Sequence, residues 1–94
     1  MRVRWSANAE RDLDAIEAFI GQDNAVAAIE TVLGIIQRVE DTLPAHPSIG
    51  RAGRVSGARE FILTRTPYLV PYRVRAQTIE VLRVLHAARH WPDK

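Results

Sequence analysis

The chain has no cysteine. That excludes a disulfide scaffold, a thiolate metal site and a cysteine nucleophile. Only one of its thirteen basic residues, Lys94, is a lysine. Positive charge is therefore carried by arginine, whose forked guanidinium suits carboxylates and phosphates. Aromatic residues are 6% of the chain. So few rings disfavour sequence-specific binding of single-stranded RNA by stacked bases. No apolar run approaches the roughly 18 residues of a membrane span. The opening stretch, MRVRWSANAERDLD, turns polar too soon for a signal peptide. These absences lead us to expect a cytoplasmic protein with no membrane partner.

What is present fits a globular chain. Of 94 residues, 47% are hydrophobic and 26% charged, so disorder is not expected. The length suits one domain over residues 1–94, with no room for a second core. The net charge of +2 hides a split. Residues 1–50 hold four arginines against eight acids, net −4, and residues 51–94 hold nine basic residues against three acids, net +6. A codon preference for arginine would explain the scarcity of lysine but not this segregation.

Arg2-Val3-Arg4-Trp5 alternates polar and apolar, as a short strand does. Ser6 is a good N-cap, and Ala9, Leu13, Ile16 and Ile20 form one helical stripe. Gly21 ends that helix, and Asp23 or Asn24 can cap the next. There Ile29, Val32, Leu33, Ile36, Val39 and Leu43 recur at three-four spacing until Pro44. The short connection predicts an antiparallel helical hairpin. Residues 44–58 read as a loop. Three strands follow, Arg59–Thr66, Tyr68–Arg75 and Thr78–His86. The expected fold is α+β: an N-terminal strand, then an antiparallel two-helix hairpin packed on a C-terminal antiparallel sheet, in the order β-α-α-β-β-β.

A two-residue turn at Ala76-Gln77 sets Val74 opposite Ile79 and Arg73 opposite Glu80, although the pair lacks the favoured Asn or Gly. Opposed residues share a face. Tyr68, Val70, Tyr72, Val74, Ile79, Val81 and Leu85 then form the face under the helices. Leu69, Pro71, Arg73, Glu80, Leu82, Val84 and His86 form the other. Arg83 falls on the apolar face and is expected near a rim or paired to a helix carboxylate. Pro71 lacks a ladder donor and implies an edge, a bulge or a distorted sheet. Trp5 and Trp91 read as packing anchors.

No metal site is expected, because His46, His86 and His90 are not at ligand spacing with any carboxylate. Gly50, Gly53 and Gly57 precede a strand and are not a phosphate loop. No cofactor is implied. His86, near Arg83 and Arg89, reads either as a general acid or base or as a strand-end histidine bonded to a carbonyl. The arginines of the second half, including Arg51, Arg54 and Arg75, form either a patch for nucleic acid or an acidic protein, or a solvated face.

Three stretches carry a resemblance. They are Trp5-Ser6 with Ala9 and the Asp12-Leu13…Ile16 helix; Pro47…Gly50-Arg51…Gly57-x-Arg59-Glu60; and Pro67-Tyr68-Leu69-Val70-x-Tyr72-Arg73-Val74 running on to Val81-Leu82-Arg83-Val84-Leu85-His86-x-x-Arg89-x-Trp91-Pro92. Together they resemble a toxin of the RelE/ParE superfamily from type II toxin–antitoxin modules, over nearly the whole chain. The resemblance implies a cognate antitoxin, of ribbon-helix-helix type with an acidic tail, bound at a basic surface of Arg59, Arg65, Arg73, Arg83 and Arg89. It implies one of two targets. ParE-like toxins inhibit DNA gyrase and do no chemistry. RelE-like toxins cleave mRNA on the ribosome, and here that site would use His86, Arg65, Arg73 and Glu60. A family arginine three residues before the tyrosine of the second strand is Leu69 in this chain, so one catalytic cation is missing. The ParE-like branch is therefore preferred and no catalytic residue is assigned. A homologue that binds antitoxin but is no longer toxic is the third reading.

Overall fold

The computed structural model describes residues 1–87. Arg89, His90 and Trp91, which figure in the expectations above, lie outside them. The elements are β1 Arg2–Trp5, α1 Ala7–Gly21, α2 Ala25–Thr42, β2 Arg51–Ala52, β3 Arg59–Ile62, β4 Tyr68–Arg75, β5 Thr78–Val81 and β6 Leu85–His86. Both helices start at the caps expected of them. Ser6 Oγ accepts the Ala9 amide at 3.0 Å, and Asn24 Oδ1 accepts the Ala27 amide at 2.9 Å. Each bond satisfies an orphan first-turn donor and contributes about 1 kcal/mol.

The strand order is β1-β5-β4-β3-β2, with β6 also beside β4. The C-terminal strands are antiparallel as expected, but β1 joins them parallel to β5, so the six-stranded sheet is mixed. A parallel neighbour needs a long connection; here the helical hairpin carries the chain from β1 at one edge of the sheet to β2 at the other, and β3, β4 and β5 lead back to β1. Within the expected loop, Arg51–Ala52 pairs with β3 as a two-residue edge strand. The 76–77 turn has the expected register, and both of its residues take positive φ, 49° for Ala76 and 63° for Gln77. That is the twist a tight hairpin demands, adopted without the glycine or asparagine that would adopt it cheaply.

The third expected strand is broken. Tyr72 pairs with Val81, but Leu69 pairs with Leu85 and Tyr68 with His86, so one extra residue is accommodated between them. This is a β-bulge at residues 82–84, opposite Pro71. The Leu82 amide donates to the Pro71 carbonyl at 2.9 Å. Pro71 has no N–H to return, and the Leu82 carbonyl accepts from Ser6 Oγ at 2.8 Å instead. The Val84 amide is taken up by the Asp12 carboxylate at 2.9 Å. The missing donor of one proline is thus made good by the first turns of α1.

The bulge reverses the face assignment beyond it. Val84 enters the core and Leu85 pairs with Leu69 on the opposite face, while His86 shares the helix side with Tyr68. The core under the helices comprises chiefly Ala9, Leu13, Ile35, Val39, Leu43, Phe61, Leu63, Val70, Tyr72, Ile79 and Val81. Helix α1 faces inward as its stripe indicates. Helix α2 is rolled. Ala28, Ile35, Val39 and Leu43 are buried, whereas Ile29 and Leu33 are 51% and 59% exposed. Ala28 lies against Gly21, with 3.7 Å from its Cβ to a Cβ built at that glycine. Val26, Ile29 and Leu33 are left to solvent.

Candidate functional surface

The arginines read as candidates are mostly engaged within the protein. Arg83 Nε and Nη2 hold Asp12 at 2.7 and 3.0 Å, so of the rim and the helix carboxylate expected as alternatives it takes the carboxylate. Arg73 Nε donates to Glu80 at 2.7 Å. Arg59 Nη1 donates to the carbonyls of Ser48 and Gly50 at 3.3 and 2.8 Å. Arg65, at the β3–β4 turn with φ 69°, is exposed and has no hydrogen-bond or ion-pair partner among the described residues. The Arg38 guanidinium holds that turn to α2 through the Thr64 carbonyl and hydroxyl, at 2.8 and 3.1 Å.

Glu60 is 1% exposed, with Arg51 and Arg54 at 3.0 and 3.1 Å and the Arg54 amide at 3.3 Å. Burial pushes its pKa up, but the hydrogen bonds and charges of the two arginines outweigh this and hold it below the ordinary 4.5. Glu80 is also held below 4.5. The Arg73 hydrogen bond is the main cause, burial opposes it, and Arg4 adds to the lowering. Both carboxyls are ionised anchors for guanidinium groups.

The four residues of a ribonuclease site do not converge. Glu60 is opposite Pro71 and Arg73 opposite Glu80, on the sheet face turned from the helices. His86 is on the helix side, edge-on to the Tyr68 ring at 6.1 Å and 83°, and borders a cleft with Asp12, Ile16 and Phe19. Leu69 is 2% exposed, between Ile62 and Leu85. Among the described residues no three His, Asp or Glu side chains gather as a metal site requires, and no helix is long and apolar enough to cross a membrane.

The Pro47…Gly50-Arg51 motif has a structural role that residue spacing did not reveal. The buried Tyr72 hydroxyl donates to the Pro47 carbonyl at 2.7 Å and accepts the Gly50 amide at 2.9 Å. A Cβ on Gly50 would meet the Tyr72 ring at 2.7 Å, so only glycine permits the approach. Arg59, paired across the strands with Tyr72, holds the same segment from its other side.

A strand, a helical hairpin and a bulged sheet tied to α1 by Asp12 define a small toxin of the RelE/ParE superfamily. Solved structures agree. The chain matches one from the chromosomal ParDE toxin–antitoxin system of P. aeruginosa with a TM-score of 0.83 and 31% identity, covering 92% of this chain and 95% of that one. A RelBE2 toxin–antitoxin complex from Mycobacterium tuberculosis shares the fold, with a TM-score of 0.65 and 23% identity over 90% of this chain and 95% of that one. The family described as the ParE toxin of type II toxin–antitoxin system, parDE, matches residues 3–91, and the chain belongs to it. It is 42% identical to the candidate toxin Y4kP of Sinorhizobium fredii over 98% of this chain and 94% of that protein. It is 33% identical to Toxin RelE2 of Caulobacter vibrioides over 94% of this chain and 97% of that protein.

Proposed function

We propose that this toxin inhibits DNA gyrase without catalysing a reaction, and that a cognate antitoxin neutralises it. The observation that carries the reading is Leu69. RNA cleavage needs cations to stabilise the charge on the phosphorane and an acid or base to move protons. At the position where the related ribonucleases hold an arginine, this chain has a buried leucine flanked by Ile62 and Leu85. His86 also lies across the sheet from Glu60 and Arg73. Incubating the toxin with gyrase, ATP and relaxed plasmid is expected to block supercoiling or accumulate cleaved DNA. Cleavage of ribosome-bound mRNA with gyrase unaffected would overturn the reading.

Two surfaces among the described residues suit the antitoxin. The α2 stripe of Val26, Ile29 and Leu33 is exposed, as apolar binding surfaces are before a partner covers them. Arg65 is exposed and unpaired among the described residues, and can receive an acidic side chain. The ParDE system to which the chain is similar supports such a partner.

The ribonuclease reading keeps one specific support, the identity to Toxin RelE2. Under it, His86→Ala abolishes growth arrest while antitoxin binding persists. A fully toxic His86→Ala protein removes that reading.

A further inference from the structure

Four arginines lie on the sheet face turned from the helices, at the end formed by β1 and the β4–β5 hairpin. Strand pairing places them. Arg4, Glu80 and Arg73 form one row across β1, β5 and β4, and Arg2, Thr78 and Arg75 form the next. They line an open cleft of about 430 Å³ with Ala76. Glu80 holds Arg4 at 3.2 Å and Arg73 at 2.7 Å, with Arg75 at 4.0 Å. One carboxylate therefore fixes several guanidinium groups and leaves the cluster strongly positive. Arg4, Arg73 and Arg75 keep 69%, 41% and 61% of their side-chain surface open, so each can still meet a ligand.

We propose that this cluster binds the phosphodiester backbone of a double-helical nucleic acid. The array has two columns, on β1 and β4, about 10 Å apart across the intervening strand, with about 7 Å between arginines along each column. A lone extended acidic peptide aligns its same-side carboxylates in one line and fills one column. Two backbones of a duplex supply two rows of phosphates. The cleft has no large apolar side chain to anchor a peptide and no aromatic ring to stack an unpaired base. What remains is bidentate guanidinium–phosphate contact, which positions a duplex without reading its sequence. The inference goes beyond the target of toxicity and stands whichever target is poisoned.

The test measures binding of the purified toxin to a labelled 20-base-pair DNA duplex across a salt series. Four phosphate contacts predict a slope of log K against log salt of about −3.6. Arg2→Ser/Arg75→Ser removes two contacts and should make the slope shallower by about 1.8. Arg2 has no partner among the described residues and Arg75 only a 4.0 Å ion pair, so the fold should persist, checked by an unchanged melting temperature. Arg11→Ser/Arg65→Asn removes equal charge elsewhere and should leave the slope within about half a unit of the parent. A duplex RNA arm supports the proposal if it binds with the same arginine dependence. No duplex binding, an equal loss in the control variant, or tighter binding of polyglutamate through Arg2 and Arg75 would each overturn it.

Discussion

On the helical hairpin, Glu10, Asp14, Glu17 and Glu30 are exposed and have no ion-pair partner among the described residues. On the far face of the sheet, Glu60 and Glu80 each collect at least two arginines. The hairpin leaves its acids and its Val26-Ile29-Leu33 stripe open, while the sheet satisfies its carboxylates internally. Charge counted along the chain is thus a poor map of the surface. Arg2 and Arg4 come from the acidic half yet stand among the sheet arginines. Arg83 comes from the basic half yet is held by Asp12 of α1. The Arg83–Asp12 charges that cross between layers tie the hairpin to the sheet, whereas Glu10, Asp14, Glu17 and Glu30 face solvent.

The largest effect on stability should come from cutting that cross-layer tie. Asp12→Ala removes the carboxylate that holds the Arg83 guanidinium and the Val84 amide, and should cost about 2 kcal/mol in urea unfolding, since two part-buried donor groups lose a charged acceptor. Asp14→Ala, on the exposed side of the same helix, should stay within about 0.5 kcal/mol of the parent. Equal losses for the two would end the distinction between tying and free acids. Next is Leu33→Glu, which should weaken antitoxin binding about a hundredfold, a loss of hot-spot size, with stability unchanged. Calorimetric titration measures it, and an unchanged affinity would move the antitoxin off α2.

Glu60→Gln should cost about 1–2 kcal/mol, since the Arg51, Arg54 and amide bonds lose their charged acceptor. It also alters the acid response. The folded pKa values of Glu60 and Glu80 lie below the ordinary 4.5, so their stabilisation is complete above that value and is lost as pH falls through the folded values. Unfolding midpoints between pH 6 and 2, on the order of the range where carboxylates titrate, should fall less steeply in Glu60→Gln than in the parent. The smallest effect should be a gain. Ala76→Asn/Gln77→Gly supplies residues that accept positive φ and should add about 1 kcal/mol, read as a higher melting temperature.

Much of this was legible in residue order. Ser6 and Asn24 announced the helices because caps act locally. Register at 76–77 followed from turn length, and Arg83 could be narrowed to a rim position or a helix carboxylate because a charge on an apolar face needs one or the other. Pro71 signalled a distortion but not its position, since the extra residue is on the partner strand. Without that bulge, Val84, Leu85 and His86 are assigned to the wrong faces. The roll of α2 was hidden because apolar residues surround much of that helix. The pairing of β1 with β5 spans most of the chain and leaves no local trace. Leu69 needed only its place in the Pro-Tyr-Leu-Val motif to read as a missing cation. The separation of His86 from Glu60 and Arg73 depended on the bulge and was not readable.

Synthesis adds a consequence to the Ser6 and Asp12 bonds. Their acceptor and donors are Leu82, Arg83 and Val84, and among the described residues β1 pairs only with β5. A nascent chain released as far as residue 77 has its helical hairpin but no neighbour for its first strand. The domain can therefore close only once residues 78–86 have emerged, in a step that joins β1 and α1 to strands distant in sequence.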